Sequence, residues 1–397
     1  MMPFEQELRE ELTGLAGADR LRHTRVFAGR DRAHPTDSEG RRLLSFATND
    51  YLGLAGHPAL SAAASAEAEQ NGYGSGASRL VSGEGPAHLA LEQDLANFLG
   101  APSVLLFPTG YQTNMGVLTS LAGPSDLIVS DAANHASVID GCRLSRARVV
   151  IYPHGDSEVA SLALETRGSF RRRILVTESI FSMDGDRAPL LNLAAAVRKH
   201  EAVLVVDEAH AIGVAGPEGR GLCAEHHIVP DVLIGTLGKS LGTSGGFAAG
   251  SDALRSFLIN RARSFIFATA APMPCVAATR AALALATGPD GQRRRERSNQ
   301  LAARLRSHLL RAGLQPLGAD LLVPIILGSE RDALAVSDRL FADGILAPAI
   351  RPPTVPAGTS RLRITISAAH DSDDVDRLAA ALIKAIPPSG RPGPALP

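Results

Sequence analysis

Between residues 86 and 250 the chain repeats one unit: a short apolar run, a polar loop and a helical stretch. The apolar runs are Val104-Leu105-Leu106-Phe107, Leu127-Ile128-Val129, Val149-Val150-Ile151-Tyr152, Ile174-Leu175-Val176-Thr177, Val203-Leu204-Val205-Val206 and Val232-Leu233-Ile234. None alternates apolar with polar residues, so each is expected to be covered on both faces. Such strands, separated by helices, build a mainly parallel sheet with helices on both sides. Phe247-Ala248-Ala249 reads as a last strand that turns back. The predicted fold class is α/β: a large, mainly parallel, seven-stranded sheet domain followed by a smaller α/β domain. In such sheets functional groups collect beyond the carboxyl ends of the strands. Gly110, His135, Glu178, Asp207 and Lys239 all stand just after a strand.

The flanking sequence is less regular. Phe4, Leu8, Leu12, Leu15 and Ala16 recur at helical spacing and predict a helix over 4–25. A polar stretch with Pro35 and Gly40 follows, then a short strand at Leu43-Leu44-Ser45-Phe46 and an Ala-rich helix over 59–70. Gly288-Pro289-Asp290-Gly291 reads as a break, and the basic run Gln292 to Arg297 after it as a solvated helix start. Beyond it the pattern predicts helix 296–312, strand 321–327, helix 331–343, strands 345–350 and 361–367, and helix 373–386. The expected divisions are an N-terminal helix and linker packing with the small domain (1–45), the large domain (46–287), the small domain (288–386) and a Pro/Gly-rich disordered tail (387–397).

Composition removes some classes of function. A net charge of -1 lacks the basic face of a nucleic-acid binder. No apolar run approaches membrane-spanning length, and Met1 to Glu11 has no signal-peptide pattern. Cys142, Cys223 and Cys275 have neither zinc-ligand nor disulfide-scaffold spacing, so a reducing cytoplasm is the expected setting. Two motifs are decoys. Gly238-Lys239-Ser240 resembles the end of a P-loop, but Leu233 stands where that motif needs glycine. Gly72-Tyr73-Gly74-Ser75-Gly76-Ala77 fits a loose dinucleotide fingerprint, but a helix precedes it instead of a strand.

Lys239 lies among glycines and small hydroxyl residues, a setting in which an amine can be desolvated and act as a nucleophile. Asp207 ends a strand, and His210 follows three residues on. A buried carboxylate needs a cationic or hydrogen-bonding partner. One candidate is a metal, with His135 and Glu178 as further ligands, although no local pair has metal-site spacing. The other is a protonated pyridine nitrogen. Pyridoxal phosphate needs a lysine, an acid on its ring nitrogen and donors for its phosphate. Thr109-Gly110-Tyr111, at a helix start, supplies backbone N–H groups and the positive end of a dipole.

These residues carry a resemblance. The chain resembles the α-oxoamine synthase family of fold-type I pyridoxal-phosphate enzymes. The matching pieces are Phe46-Ala-Thr-Asn-Asp-Tyr-Leu-Gly-Leu54, Gly72-Tyr-Gly-Ser-Gly-Ala-Ser-Arg-Leu-Val-Ser-Gly83, Thr177-Glu-Ser-Ile-Phe-Ser-Met-Asp-Gly-Asp186, Val206-Asp-Glu-Ala-His-Ala-Ile-Gly-Val214, Thr236-Leu-Gly-Lys-Ser240 and Ile350-Arg-Pro-Pro-Thr-Val-Pro-Ala-Gly-Thr-Ser-Arg-Leu-Arg363. The resemblance implies pyridoxal 5'-phosphate joined to Lys239, with Asp207 on the pyridine nitrogen and His210 on the phenolic oxygen. His135 would stack on the ring and contact the substrate carboxylate. Ser182 and Thr236 match cofactor contacts, and Gly110 and Tyr111 match the phosphate cradle. Thr269 matches a residue that reaches the phosphate of the neighbouring subunit. Asn49 and Arg363 match groups that hold the amino-acid carboxylate, a bidentate task suited to guanidinium. Arg22 and Thr354 match contacts to the acyl substrate.

The last matching piece leans toward the branch that condenses L-alanine with a pimeloyl thioester, on pimeloyl-ACP or pimeloyl-CoA, in biotin synthesis. Lys239 and His135 would be its catalytic residues, and no metal is implied. A homodimer with sites at the interface is expected. One departure blurs the substrate. The branch often has Asp-Asp-Ala-His-Gly, whereas this chain has Asp207-Glu208-Ala209-His210-Ala211. Alanine after the histidine also occurs in glycine-using branches that make 2-amino-3-oxobutyrate or 5-aminolevulinate. A cofactor-binding but non-catalytic subunit is a further alternative, against which Lys239, Asp207 and His135 stand together.

Overall fold

The computed structural model describes residues 3–386. The tail expected over 387–397 lies outside the described residues. The chain forms two compact units. The larger comprises Asn49–Ser182 and Asp186–Glu296, the smaller Met1–Thr48, Met183–Gly185 and Arg297–Pro397.

The larger unit is built on a seven-stranded sheet. Across it the order is Ser103–Phe107, Gly246–Gly250, Val232–Thr236, Val203–Asp207, Arg173–Glu178, Leu127–Asp131 and Arg148–Tyr152. Six strands run in one direction, and Gly246–Gly250 runs antiparallel to both its neighbours. Leu105, Val117, Ile128, Val138, Ile174, Val176, Val205 and Ile234 form one buried cluster, which is why these strands are continuously apolar. Arg148–Tyr152 is the exception. It is an edge strand, and Ile151 is exposed. Glycine in Val232–Thr236 answers a steric need: a Cβ on Gly235 would lie 2.2 Å from the Phe247 ring.

In the smaller unit, Leu322–Gly328, Ser360–Thr365 and Ala349–Ile350 form an antiparallel sheet. Leu44–Ser45 pairs in parallel with Ile345–Leu346, so the strand predicted over 345–350 is in fact two short ones. The N-terminal linker ties onto this unit. Arg20 pairs with Glu330 at 3.0 Å, and Arg22 Nη2 donates to the Pro352 carbonyl at 3.0 Å.

Two sequence expectations change here. The first helix ends at Gly17, not at residue 25, because Asp19 turns left-handed at φ 56°. The predicted break at 288–291 shrinks to Gly288, and a helix runs over Pro289–Arg311, its proline tolerated at the first position. The basic run inside it is not simply solvated. Arg294 donates to the Leu52 carbonyl at 2.9 Å and Arg295 to that of Ala286 at 2.7 Å. Among the described residues no helix is long and apolar enough to cross a membrane.

Candidate active site

The carboxyl ends of the central strands converge on one cavity. Thr109 ends the loop after Ser103–Phe107 and caps the Gly110–Leu121 helix, its Oγ1 accepting from the Gln112 N–H at 3.1 Å. The N–H groups of Gly110 and Tyr111 therefore begin a helix, where no helical carbonyl faces them. Gly246 lets this helix start lie against the sheet: a Cβ there would come within 2.7 Å of Gly110 Cα and 2.4 Å of Thr113 Oγ1.

Asp207 ends its strand in register with Glu178 on the next one. The Asp207 carboxylate is buried. It accepts from Asn114 Nδ2 at 2.7 Å and from the Ala209 N–H at 2.9 Å. These donors satisfy and orient the carboxylate at the cavity wall. Glu178 is also buried, and its carboxylate accepts from the His135 N–H at 2.5 Å and from the Ser182 backbone. Burial, and then the Asp207 charge, push its proton affinity up; Lys239 and the two N–H groups pull it back. Glu178 thus ties together the two loops that carry His135 and Ser182.

The His135 Nδ1 accepts from the Ser137 N–H at 3.2 Å, which places the ring proton on Nε2. Burial lowers its proton affinity, so the imidazole is neutral near pH 7. The Tyr111 ring stands edge-on to it, with centroids 6.4 Å apart. Tyr111 is itself tied to Asp140 by its hydroxyl.

Lys239 follows the Val232–Thr236 strand in a tight turn, closed by Gly242 N–H donating to the Lys239 carbonyl at 2.8 Å. Gly242 has φ 65°, and a Cβ there would lie 2.4 Å from the Ala55 nitrogen. The Lys239 Nζ is 2.7 Å from His210 Nε2. His210 Nδ1 is 2.6 Å from the Tyr51 hydroxyl. Thr236 lies beside Gly110, its Oγ1 accepting from the Gly238 N–H at 3.3 Å.

The cavity between these groups measures about 150 Å³. Of the residues predicted from sequence, Gly110, Tyr111, His135, Asp207, His210, Thr236 and Lys239 line it. Size does not select the site. A hollow of about 720 Å³ around Arg146, Arg261 and Arg263 is larger but gathers no carboxylate, histidine or lysine. Six predicted residues do not line the cavity. Ser182 is buried behind Glu178, Asn49 opens the loop that carries Tyr51, and Thr269 bridges to Ser78. Arg22, Thr354 and Arg363 belong to the smaller unit, Arg363 buried and Thr354 exposed. The cavity also contains residues that the sequence reading did not select. Asn114 lies one helical turn after Gly110, a spacing that could have revealed it. From sequence, Glu178 reads only as a strand-end acid and possible metal ligand. Among the described residues no group of three or more His, Cys, Asp or Glu side chains is arranged to hold a metal ion.

The departure at Glu208 has a local cause. Its buried carboxylate accepts from the N–H groups of Leu222 at 2.9 Å and Cys223 at 2.7 Å. It braces the loop beyond Asp207 and does not line the cavity.

Pyridoxal phosphate fits this donor set. A primary amine, a buried carboxylate, a neutral imidazole and a helix start surround one small space, and Asn114, on its wall, has a buried Oδ1 with no hydrogen-bond partner. Residues 41–382 match the family model "Aminotransferase class I and II". The chain belongs to this family. It is 48% identical over 361 residues to an 8-amino-7-oxononanoate synthase of Burkholderia mallei (strain SAVP1), covering 89% of this chain and 91% of that one. A Burkholderia orbicola (strain MC0-3) protein of the same name is 47% identical over 360 residues, with 89% and 88% covered. Among solved structures, Sphingomonas wittichii serine palmitoyltransferase superposes with a TM-score of 0.89 at 29% identity, covering 97% of each chain. Francisella tularensis 8-amino-7-oxononanoate synthase does so with a TM-score of 0.75 at 25% identity, covering 86% of this chain and 97% of that one. A serine palmitoyltransferase from S. paucimobilis with bound PLP and myriocin has a TM-score of 0.90 at 28% identity, covering 96% of each chain. This member of the family is a pyridoxal-phosphate enzyme.

Proposed function

We propose that this acyltransferase condenses L-alanine with a pimeloyl thioester, releasing carbon dioxide and the carrier thiol and giving 8-amino-7-oxononanoate for biotin synthesis. The observation that carries this reading is the identity of 48% over 89% of the chain to synthases of that name. The balance is simple. A bond forms between alanine Cα and the acyl carbon, the thiol leaves, the alanine carboxyl departs as carbon dioxide, and a proton returns to Cα.

Bound pyridoxal phosphate supplies the electron sink for charge that develops at Cα. The chain's own groups do the rest. Lys239 would hold the cofactor, and its amine is the base placed to take the Cα proton. Asp207, fixed by Asn114 and Ala209, keeps the ring nitrogen protonated. Gly110 and Tyr111 hold the phosphate at the helix start. His135, with its proton on Nε2, is suited to donate at the acyl carbonyl. Asn49 and Arg363 are the proposed holders of the alanine carboxylate, and Arg22 and Thr354 of the acyl chain. The protein acts as a homodimer in which Thr269 serves the partner's phosphate; its place outside the cavity of its own chain supports this assignment.

The test is a matrix of amino acids against acyl thioesters of different lengths on coenzyme A and acyl carrier protein, with products identified by mass. Alanine with pimeloyl donors is expected to dominate. Glycine with a short donor outperforming them would overturn the assignment in favour of a glycine-using branch. Visible absorbance of the purified protein, lost in Lys239→Ala, tests the cofactor anchor separately.

A further inference from the structure

The Tyr51 hydroxyl, the His210 imidazole and the Lys239 amine stand in line. Tyr51 Oη is 2.6 Å from His210 Nδ1, and His210 Nε2 is 2.7 Å from Lys239 Nζ. Tyr51 is 1% exposed, and its ring meets the imidazole edge-on at 6.1 Å between centroids. The loop that carries it is braced on several sides. The Asp50 carboxylate accepts from the N–H groups of Leu54 at 2.8 Å and Ala55 at 3.0 Å. Arg294 holds the Leu52 carbonyl, and Gly242 of the Lys239 turn lies against Ala55. The loop and the lysine turn are thus packed as one piece, which sets the hydroxyl against the histidine.

A neutral imidazole donates from one nitrogen only, and the partner of the other nitrogen decides which. Before the cofactor is bound, Tyr51 and Lys239 both bring donors to the ring. With the cofactor held by Lys239, His210 Nε2 would be the nitrogen that meets the phenolic oxygen, an acceptor. We propose that Tyr51 is a positioning residue: by donating to Nδ1 it keeps His210 as the Nε2–H tautomer, so that His210 donates to that oxygen. This rests on the reading of His210 as the partner of the phenolic oxygen. Tyr51 does not line the cavity, and in this role it acts through the imidazole.

The consequence is electrostatic. A hydroxyl donating to Nδ1 strengthens Nε2–H as a donor, and so stabilises negative charge on the phenolic oxygen. That oxygen then holds less tightly the proton on the nitrogen that Lys239 contributes. Removing the hydroxyl raises the pH at which this proton is lost.

The experiment uses cofactor-loaded wild type and Tyr51→Phe, each labelled with ¹⁵N-histidine. Wild-type His210 is expected to show a protonated Nε2 and a bare Nδ1. In Tyr51→Phe the two tautomers should mix. The midpoint of the pH-dependent visible absorbance should rise by about one pH unit, a tenfold change in proton affinity. The kcat should fall while KM for both substrates stays nearly constant. A protonated Nδ1 in the loaded wild type overturns the proposal, whether or not the variant folds. So does a variant whose tautomer and absorbance midpoint match wild type and which loses only thermal stability. Wild type lacking the visible band would instead defeat the cofactor reading.

Discussion

His154 is held between two carboxylates. Its Nδ1 lies 2.8 Å from Asp131 Oδ1 and its Nε2 lies 2.9 Å from Asp186 Oδ2. Both nitrogens must carry protons to serve both acceptors, so the ring is an imidazolium. The bonds to Asp131 and Asp186 raise its pKa to about 10, against partial burial. A pKa raised from 6.5 to about 10 would correspond to about 5 kcal/mol at 1.36 kcal/mol per tenfold change. The imidazole is 32% exposed and Asp186 is 42% exposed, so water screens the pair and about 2 kcal/mol remains. Asp131 keeps two backbone donors, Ala133 and Gly155, which limits the cost of losing the cation. The sign follows from linkage. Because the folded state holds the proton more tightly, the stabilisation is complete below about pH 6.5 and is lost as pH rises through about 10. Urea unfolding of cofactor-free wild type and His154→Gln, followed by circular dichroism, should differ by about 2 kcal/mol at pH 6 and converge above pH 10. A difference that stays constant across this range would refute the charge argument and leave only packing against Phe181, whose ring meets His154 at 4.3 Å.

Gly246→Ala forces a Cβ against Gly110 and Thr113; about 1–3 kcal/mol of stability should be lost, and titration should show cofactor affinity reduced at least tenfold. Unchanged affinity would mean that the helix start does not hold the phosphate. Asn114→Leu removes a donor to the Asp207 carboxylate, and equilibrium titration should show cofactor affinity falling about tenfold to a hundredfold, as for loss of a bond to a charged group. Leu105→Ala opens a void in the sheet core, and the unfolding midpoint should drop by the equivalent of about 2–5 kcal/mol while kcat/KM of the folded fraction holds.

The apolar runs and the helices between them were legible because a strand covered on both faces has no place for polar residues. The register of Glu178 against Asp207 and the cavity they border depend on strand order, which local patterning does not contain. The first helix shows the same limit. Phe4, Leu8, Leu12 and Leu15 recur at helical spacing, yet all are exposed in this chain. Periodicity reports which face is apolar, not whether anything covers it. Gly235 and Gly246 read as ordinary glycines until Phe247 and Gly110 are seen against them.

The residues that bear charge or nucleophilic chemistry were already specified by the sequence: Lys239, Asp207, His210 and His135 follow strands, where backbone direction brings groups to one end of a sheet. What tertiary structure alone decided is how those groups are set. Asn114 on Asp207, Tyr51 on His210 and Glu178 beneath His135 come from segments distant in sequence or from another element. A hydrogen bond depends on distance and direction in space, and residues separated by 159 positions, as Tyr51 and His210 are, acquire both only when the chain has folded.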